Sequence, residues 1–386
     1  MLTSRLREGL PPRWKPALLS LGLLGLYLLM TVHFVGCYLL RGHDYLDLHR
    51  FAHGYERLPF QTRLLLAPLF RWAENSHFMI NYASHLAKNG YFFPNGVRPT
   101  EVLEFYLDIP CVLIAGWVAV RIYQAASRRH LLEWLVFPLF IVLCAVSYTL
   151  HTVQNYRFAY DLPSLAFFSL GLYLIYFRKS PLLLAALFAV ATLNRETTLL
   201  LIPFYLLSEL AVGHENGSHS AGGPMLLSGI PSGRPNWRAL LRPQVLIPAA
   251  LMLAYWAVWH VFIFHVFRNN ASEYYSRVQF NLYCFRRLRY WPQLFSACGY
   301  LLPVLVLFRR HIHDAQLRMW MWAIPLWYGL MFFWGILVET RVFGEMLPFI
   351  AVLGVLIAEE AVVAAVARRG LAHTNDDDRV HLVKAA

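Results

Sequence analysis

Residues 17–40 read ALLSLGLLGLYLLMTVHFVGCYLL and contain no Asp, Glu, Lys or Arg. A bilayer core of about 30 Å needs roughly 20 apolar residues in a helix, so this stretch predicts a membrane-spanning helix. The basic residues before it, MLTSRLREGLPPRWK, lack a cleavage site made of small residues. We therefore expect an uncleaved first span rather than a signal peptide.

The composition of the whole chain also indicates a membrane protein. Of its 386 residues, 58% are hydrophobic and only 15% are charged, which is typical of a polytopic membrane protein and excludes an ordinary soluble domain. The net charge is +12, but the basic residues mostly flank apolar runs. That pattern indicates membrane topology rather than a nucleic-acid partner. The five cysteines form no CxxC motif and are expected to be buried free thiols.

Apolar runs recur along nearly the whole chain, so the predicted fold is an all-α bundle of about ten membrane segments. One integral membrane domain is expected over residues 1–370. Within it, 41–100 forms a long extracytoplasmic loop and 213–242 a flexible Gly/Ser/Pro-rich cytoplasmic loop, while 371–386 is expected to be a disordered tail. The predicted segments are 17–40, 101–124, 131–149, 161–177, 181–193, 197–212, 243–267, 291–308, 319–338 and 346–367.

Basic residues then set the orientation. If the segments alternate strictly, most Arg and Lys clusters fall on one side, which is the cytoplasm by the positive-inside rule. Both termini are therefore expected in the cytoplasm. A smaller basic group at 268–289 falls on the other side. The clusters on the cytoplasmic side lie at 5–15, 128–129, 178–179, 234–242, 309–318 and 368–369.

The long outer loop is not simply hydrophilic. Residues 62–72 (TRLLLAPLFRW) carry apolar side chains between two arginines, which is typical of a helix lying in the membrane interface. A second interfacial helix is expected over 76–88. The stretch 92–96 (FFPNG) predicts a turn.

Four polar segments interrupt the apolar chain, and the predicted topology places all of them on the outer side. Ionisable groups at the margins of membrane spans are costly, so they are candidates for a functional site. The first to fourth polar segments are His43–Asp47, Tyr160–Asp161, Asn194–Glu196 and Glu339–Glu345.

Together these residue types suit chemistry on a phosphate-bearing substrate. On a helical turn, Asp44 and Asp47 would share one face, where a carboxylate serves as a general base or binds a divalent cation. Arg195 and Arg341 have forked donors that fit phosphate oxygens. The acidic residues that could orient these arginines are Glu196, Glu339 and Glu345.

Structural explanations stay open for each segment. Asp161 is a plausible helix N-cap. Arg195 and Glu196 could pair with each other in a hairpin turn, and the fourth segment could be an interfacial salt-bridge set. The outer loop also carries three histidines, but their spacing is not a recognised zinc signature. They are His43, His49 and His53.

The chain resembles the multi-spanning GT-C type glycosyltransferases, and among them bacterial membrane proteins without an assigned substrate. The resemblance covers roughly the whole membrane domain. The residues that carry it are Asp44-Tyr45-Leu46-Asp47, Pro59 to Pro68 (PFQTRLLLAP), Tyr160-Asp161-Leu162-Pro163, Leu193-Asn194-Arg195-Glu196-Thr197, and Glu339-Thr340-Arg341-Val342-Phe343 followed by Pro348.

This resemblance implies an outward active site in the bacterial inner membrane, a polyprenyl-phosphate-linked sugar donor and a glycan, lipid or protein acceptor. Asp44 or Asp47 would deprotonate the acceptor hydroxyl for inverting single displacement, with Mg²⁺ or Mn²⁺ as candidate cofactors on the same two residues. Here the two acids are separated by two residues, whereas the family pair is adjacent or separated by one. The implied substrate-binding residues are Arg63, Tyr160, Asp161, Asn194, Arg195, Glu196, Glu339, Arg341 and Glu345.

Two other functions remain open from the sequence. A transporter or flippase for a lipid-linked or anionic solute would use the same arginines, but it needs polar groups through the membrane depth. A non-catalytic membrane subunit that keeps the fold would use the polar segments only as ion pairs.

Overall fold

The computed structural model of the chain describes residues 14–89, 97–150, 156–212, 237–273 and 275–384, with side chains except at 14–17, 43–44 and 369–384. Helices account for nearly all regular structure in these ranges. In chain order, helices α1 to α17 are Trp14–Arg41, Leu48–His53, Ala67–Asn75, His77–Asn89, Pro99–Ala126, Glu133–Tyr148, Asp161–Tyr176, Pro181–Asn194, Leu201–Val212, Trp237–Leu240, Pro243–Val266, Val278–Phe285, Trp291–Phe295, Leu301–Leu307, Ala315–Trp320, Ala323–Trp334 and Leu347–Lys384.

Short 3₁₀ helices connect several of these elements. The described residues also contain two strands of two residues each, β1 (His43–Asp44) and β2 (Tyr156–Arg157), which pair in parallel with His43 opposite Tyr156. The 3₁₀ helices are Phe60–Thr62, Leu64–Leu66, Glu196–Leu200, Leu288–Tyr290, Ala297–Tyr300, Arg309–His311 and Thr340–Met346.

The prediction of an all-α membrane fold is confirmed in its coarse form. Within the described ranges, four helices are long and apolar enough to cross a bilayer, and three shorter apolar helices accompany them. The four are Leu18–Arg41, Pro99–Ala126, Pro243–Val266 and Thr340–Arg368; the shorter three are Glu133–Tyr148, Asp161–Tyr176 and Pro181–Asn194.

Two of the ten predicted segments are not continuous helices. The segment predicted at 291–308 breaks at Cys298, Gly299 and Tyr300, whose φ angles of 54°, 65° and 62° are left-handed. The segment predicted at 319–338 is divided between α15 and α16. An apolar run indicates burial or membrane contact, but it does not require one continuous helix. The helix can break within the run where neighbouring helices cover its backbone.

The centre of the bundle is α5, which packs against α1, α6, α7 and α17. Gly116 of α5 permits this approach, because a Cβ there would lie 2.3 Å from the ring of Phe137 on α6. Buried residues of α17, including Ile350 and Leu353, complete the same core. Four of the five cysteines are buried and all five are free thiols, as expected.

The helices run back and forth between two ends of the bundle. At one end, Tyr38 near the end of α1 contacts Asp161 at the start of α7. At the other end, Glu359 of α17 accepts hydrogen bonds from Tyr123 and Ser127, where α5 finishes. The start of α7 and the end of α5 therefore lie at opposite ends of the bundle.

Residues 41–89, the described part of the segment predicted as the outer loop, fold over the first of these ends. Helices are present at both predicted positions, as α3 and α4, although residues 60–66 before α3 form 3₁₀ turns. The loop is joined to the segment after α11, since Leu58 forms a β-bridge with Ser272 and Asn270 donates to the carbonyl of Glu56. The predicted turn at 92–96 lies outside the described residues.

Two predicted flexible regions have different outcomes. Most of the 213–242 loop, residues 213–236, lies outside the described part of the chain, and 237–240 forms α10. Over the tail that was predicted to be disordered, the structure describes residues 371–384 as a continuation of α17. Residues 371–384 contain neither Gly nor Pro, so no residue in them stops a helix.

Candidate functional site

Three of the four polar segments meet at the ends of helices in the bundle. Asp161 is the first residue of α7, Arg195 directly follows α8, and the 3₁₀ helix before α17 contains Arg341 and Glu345. We call these four residues the buried ion cluster. Asp161 and Glu345 are 0% exposed, so their charges depend on protein partners rather than water.

The two arginines share the carboxylate of Asp161. Nη1 of Arg195 lies 3.1 Å from Asp161 Oδ1 and 3.1 Å from Glu345 Oε1. Nη1 of Arg341 lies 3.2 Å from Asp161 Oδ2, and its Nη2 lies 2.5 Å from Glu339. The cluster is therefore an alternating chain of acids and bases, in which each charge has at least one opposite charge beside it.

Neutral side chains complete its shell. The hydroxyls of Ser164 and Thr197 donate to Oε1 of Glu345 at 2.9 and 2.7 Å. Tyr38 donates to Oδ2 of Asp161 at 3.4 Å. These contacts fix the two carboxylates in place from α1, α7 and the 3₁₀ helix after α8.

A second ion pair joins the outer loop to the cluster. Arg63 donates to both carboxylate oxygens of Glu196, and Nε of Arg63 lies 2.9 Å from Oε2. Its guanidinium stacks over the ring of Tyr160 at 4.1 Å. Burial alone would raise the pKa of the Glu196 carboxyl, but the charge and hydrogen bonds of Arg63 outweigh it, and with Arg195 they lower this pKa to about 2.

Other predicted site residues of these segments make contacts near the start of α7. Asn194 donates from its side chain to the carbonyl of Tyr160 at 3.1 Å and so ties α8 to α7. The Tyr160 ring, fully buried, separates Arg63 from the cluster interior. Arg341 stacks over Phe158 at 4.0 Å, one turn before Asp161.

The first polar segment reaches the site through its backbone. In the β1–β2 pair Asp44 lies opposite Arg157, four residues before Asp161. The side chain of Asp44 lies outside the described part of the structure. Asp47 is the exposed N-cap of α2, and its carboxylate accepts from the backbone N–H groups of His49 and Arg50 at 3.0 and 3.1 Å.

Several structural expectations from the sequence are wrong. Asp161 is not an N-cap; Tyr160 occupies that position without a side-chain cap bond, and the Asp161 carboxylate is paired with arginines instead. Arg195 and Glu196 form no ion pair with each other among the described residues, because Arg195 pairs with Asp161 and Glu345 while Glu196 pairs with Arg63. Asp44 and Asp47 do not share a helical turn, since the first lies in a strand.

Sequence reasoning missed the acids inside α5. Arg157 is buried, with its guanidinium 3.6 Å from Glu101 and 3.7 Å from Glu104. Asp108, one turn further along α5, is 1% exposed, and neither of its oxygens has a hydrogen bond within the described chain. The sequence did contain an indication of these buried acids, because Glu104 and Asp108 lie four residues apart inside a predicted membrane span.

The geometry limits what the cluster can bind. Its three arginines, Arg63 included, face four carboxylates, so no described arginine of the site stands without a counterion. However, Nε of Arg195 and Nε of Arg341 have no hydrogen-bond partner among the described residues. These two N–H groups are buried, as are the hydroxyls of Tyr148 and Tyr160, which also lack a partner in the described chain, and all four are candidate donors to an anionic oxygen that enters the cluster. Because each carboxylate faces an arginine, none of these four is a free metal ligand.

Comparison with protein-family models, with curated proteins and with solved structures finds no match to this chain. The class of the protein therefore follows from its fold and site alone. It is an all-helical membrane protein with a buried ion cluster at one end of the bundle.

Proposed function

We propose that the chain is a membrane glycosyltransferase of the GT-C type, which moves a sugar from a polyprenyl-phosphate donor to an acceptor hydroxyl. The observation that supports this most is the pairing of β1 with β2. It brings the backbone of the acidic first-loop segment beside the segment that contributes Phe158, Tyr160 and Asp161. An acidic segment and a segment whose Asp161 pairs with two arginines suit this reaction class.

In the proposed reaction, Asp44 takes the proton of the acceptor hydroxyl. The hydroxyl oxygen then forms a bond to the anomeric carbon of the donor while the bond from that carbon to the phosphate oxygen breaks. The lipid phosphate leaves with the electron pair, and the configuration at the sugar is inverted. The free Nε–H groups of Arg195 and Arg341 would stabilise the negative charge on the departing phosphate.

We assign the base role to Asp44 rather than Asp47 because the carboxylate of Asp47 already caps α2. This assignment is tested with purified protein and a panel of polyprenyl-phosphate sugars, by measuring release of lipid phosphate. Asp44→Asn is expected to abolish release. Asp47→Asn is the matched control, since asparagine caps a helix as well as aspartate does, and it is expected to leave release unchanged.

If Asp47→Asn abolishes release and Asp44→Asn leaves it unchanged, Asp47 is the base. Unchanged release in both variants would contradict any catalytic role for the first segment.

A non-catalytic membrane subunit is the second candidate, and one observation favours it. Every arginine of the site already has a carboxylate partner, as structural ion pairs do. Under this alternative no donor is turned over, and the charges serve only to hold the helix ends together.

A transporter is supported less well. Between Asp108 and Arg121, helix α5 has no ionisable side chain apart from the buried thiol of Cys111. At 1.5 Å per residue this is an apolar stretch of about 18 Å along the central helix. The charged groups described at the other end of the bundle, such as Glu359, are therefore separate from the ion cluster.

A further inference from the structure

A second group of chemically reactive side chains lies on the outer loop, apart from the buried ion cluster. It consists of His49 and His53 on α2 and Glu74 on α3. Nδ1 of His49 lies 3.1 Å from Oε2 of Glu74, and Nδ1 of His53 lies 3.7 Å from the same oxygen. One donor atom from each residue lies within 4.8 Å of those of the other two.

The fold holds these three residues in place before any ligand binds. His49 and His53 are four residues apart, so one face of α2 carries both rings, whose centres are 4.4 Å apart. Asp47 caps the start of this helix, and Arg71 of α3 donates two hydrogen bonds to the carbonyl of Ala52. The two helices therefore keep a fixed separation at the site.

The ring of His53 is held by its own helix. Its Nδ1 lies 2.9 Å from the carbonyl oxygen of His49, and when Nδ1–H donates to that oxygen, Nε2 is the nitrogen that would bind the metal. A hydrogen bond of this kind orients a histidine for metal binding. The carboxylate of Glu74 has no lysine or arginine partner in the described ranges, so its charge is available to a cation.

The ligand types select the kind of metal. Two imidazoles with one carboxylate suit Zn²⁺, whereas Mg²⁺ and Ca²⁺ prefer sites made of oxygen ligands alone. Donors around one zinc ion are about 3.3 Å apart for bonds of about 2.0 Å. The ligand atoms lie within 4.8 Å of one another, so binding one ion requires them to move closer together by side-chain rotation.

We propose that His49, His53 and Glu74 form a Zn²⁺ site on the outer loop. Three protein ligands leave one tetrahedral position for water or a substrate oxygen. His53 also lines a cavity of about 700 Å³ between α2, α3 and Phe267, so the metal lies at the edge of a space that can hold a small molecule. The proposal does not depend on the glycosyltransferase function.

The test uses the full chain purified without a polyhistidine tag and stripped of metal with a chelator. Zn²⁺ titration by calorimetry is expected to give one saturable site, and Co²⁺ is expected to give the visible absorption of a tetrahedral site. His53→Ala and Glu74→Gln should each weaken Zn²⁺ binding at least tenfold. The control is His85→Ala, because His85 is an exposed histidine on the neighbouring helix α4, and it should bind as the parent does.

Circular dichroism and size-exclusion profiles verify that each variant folds, and His49→Ala provides a third ligand variant whose side chain is 72% exposed. Absence of saturable Zn²⁺ binding by the parent chain would overturn the proposal. So would unchanged binding in all three ligand variants. A third outcome would also overturn it: the parent chain binds no metal, and Glu74→Gln lowers stability in a pH-dependent way. His49, His53 and Glu74 would then form histidine–carboxylate ion pairs only.

Discussion

Asp161 is the carboxylate that both buried arginines share, so the site depends on it more than on any other single residue. Its oxygens face Arg195 on one side and Arg341 on the other, with Tyr38 as a further donor. Removing one partner from a buried ion pair leaves an uncompensated charge, which costs far more than the pair contributes.

We therefore expect Asp161→Asn to lower the free energy of unfolding by about 3–5 kcal/mol. The measurement is thermal unfolding in detergent, compared with Arg121→Ala. Arg121 is exposed and donates a hydrogen bond to Gln124, so that control should change stability by about 0.5 kcal/mol or less. Equal stability of Asp161→Asn and the parent would show that the cluster is not an ion-paired unit.

The Arg63–Glu196 pair gives the site a pH dependence. The pKa of the Glu196 carboxyl is lower in the folded chain than in the unfolded one, where it has its ordinary value. The pair therefore stabilises the fold fully above the ordinary carboxyl pKa, and this contribution is lost as the pH falls towards the folded value of about 2.

Glu196→Gln is accordingly expected to lower the melting temperature at pH 7, and the difference from the parent should shrink to less than about half by pH 3. Glu209→Gln is the control, because Glu209 pairs at 3.7 Å with the more exposed Arg178. That variant should have a small effect at both pH values. If the difference in melting temperature between Glu196→Gln and the parent grows as the pH falls, the lowered pKa of the Glu196 carboxyl is contradicted.

At the residue level, the sequence identified the charged side chains of the site but not their partners. Asp161, Arg195 and Arg341 were visible as costly charges beside apolar runs. Their pairing joins residues up to 180 positions apart, and no local pattern encodes it. For this reason local explanations, such as an N-cap at Asp161, were wrong.

At the scale of elements, the close contact between α6 and the 3₁₀ helix before α17 shapes the site. A Cβ at Gly344 would lie 1.8 Å from the hydroxyl of Tyr148, the last residue of α6. Only glycine allows this approach, which sets the position of Arg341 and Glu345 on either side.

Gly344→Ala is thus expected to cost about 1–3 kcal/mol of stability through overpacking. Gly329→Ala in α16 is the matched control, since no atom lies within 4 Å of its added Cβ and alanine favours a helix interior. That control should be neutral or stabilising by about 1 kcal/mol. Thermal unfolding of the two variants makes the comparison, and an unaffected Gly344→Ala would mean that the two elements are farther apart than described.

Helix boundaries show where sequence patterns stop being informative. Runs such as 17–40 and 243–267 predicted α1 and α11 well, because length and apolar content determine a span. The break at Cys298 to Tyr300 was not predictable from local sequence, since Gly299 packs there against Leu143, which is more than 150 residues away in the chain.

For the whole molecule, the account requires the outer loop and the ion cluster to lie on one side of the membrane. We expect a cysteine at Ser84, exposed on α4, to react with an impermeant maleimide in intact cells or spheroplasts. A cysteine at Ser180, exposed between α7 and α8, should react only after permeabilisation. Both variants are made in a chain whose native cysteines are replaced. The reverse labelling pattern would show that the topology is opposite to the predicted one.

In the proposed function, the buried ion cluster binds the phosphate of a lipid-linked sugar and does not only join helices. The most direct measurement is lipid-phosphate release by the parent chain and by the double variant Glu339→Gln/Arg341→Met, which removes one charge of each sign. The double variant removes the Glu339–Arg341 pair but leaves Asp161 paired with Arg195 alone, so its melting temperature is measured beside that of the parent. We predict release by the parent and at least a hundredfold loss in the folded double variant. Undiminished release in that variant, or none from the parent with any donor of the panel, would contradict the proposed function.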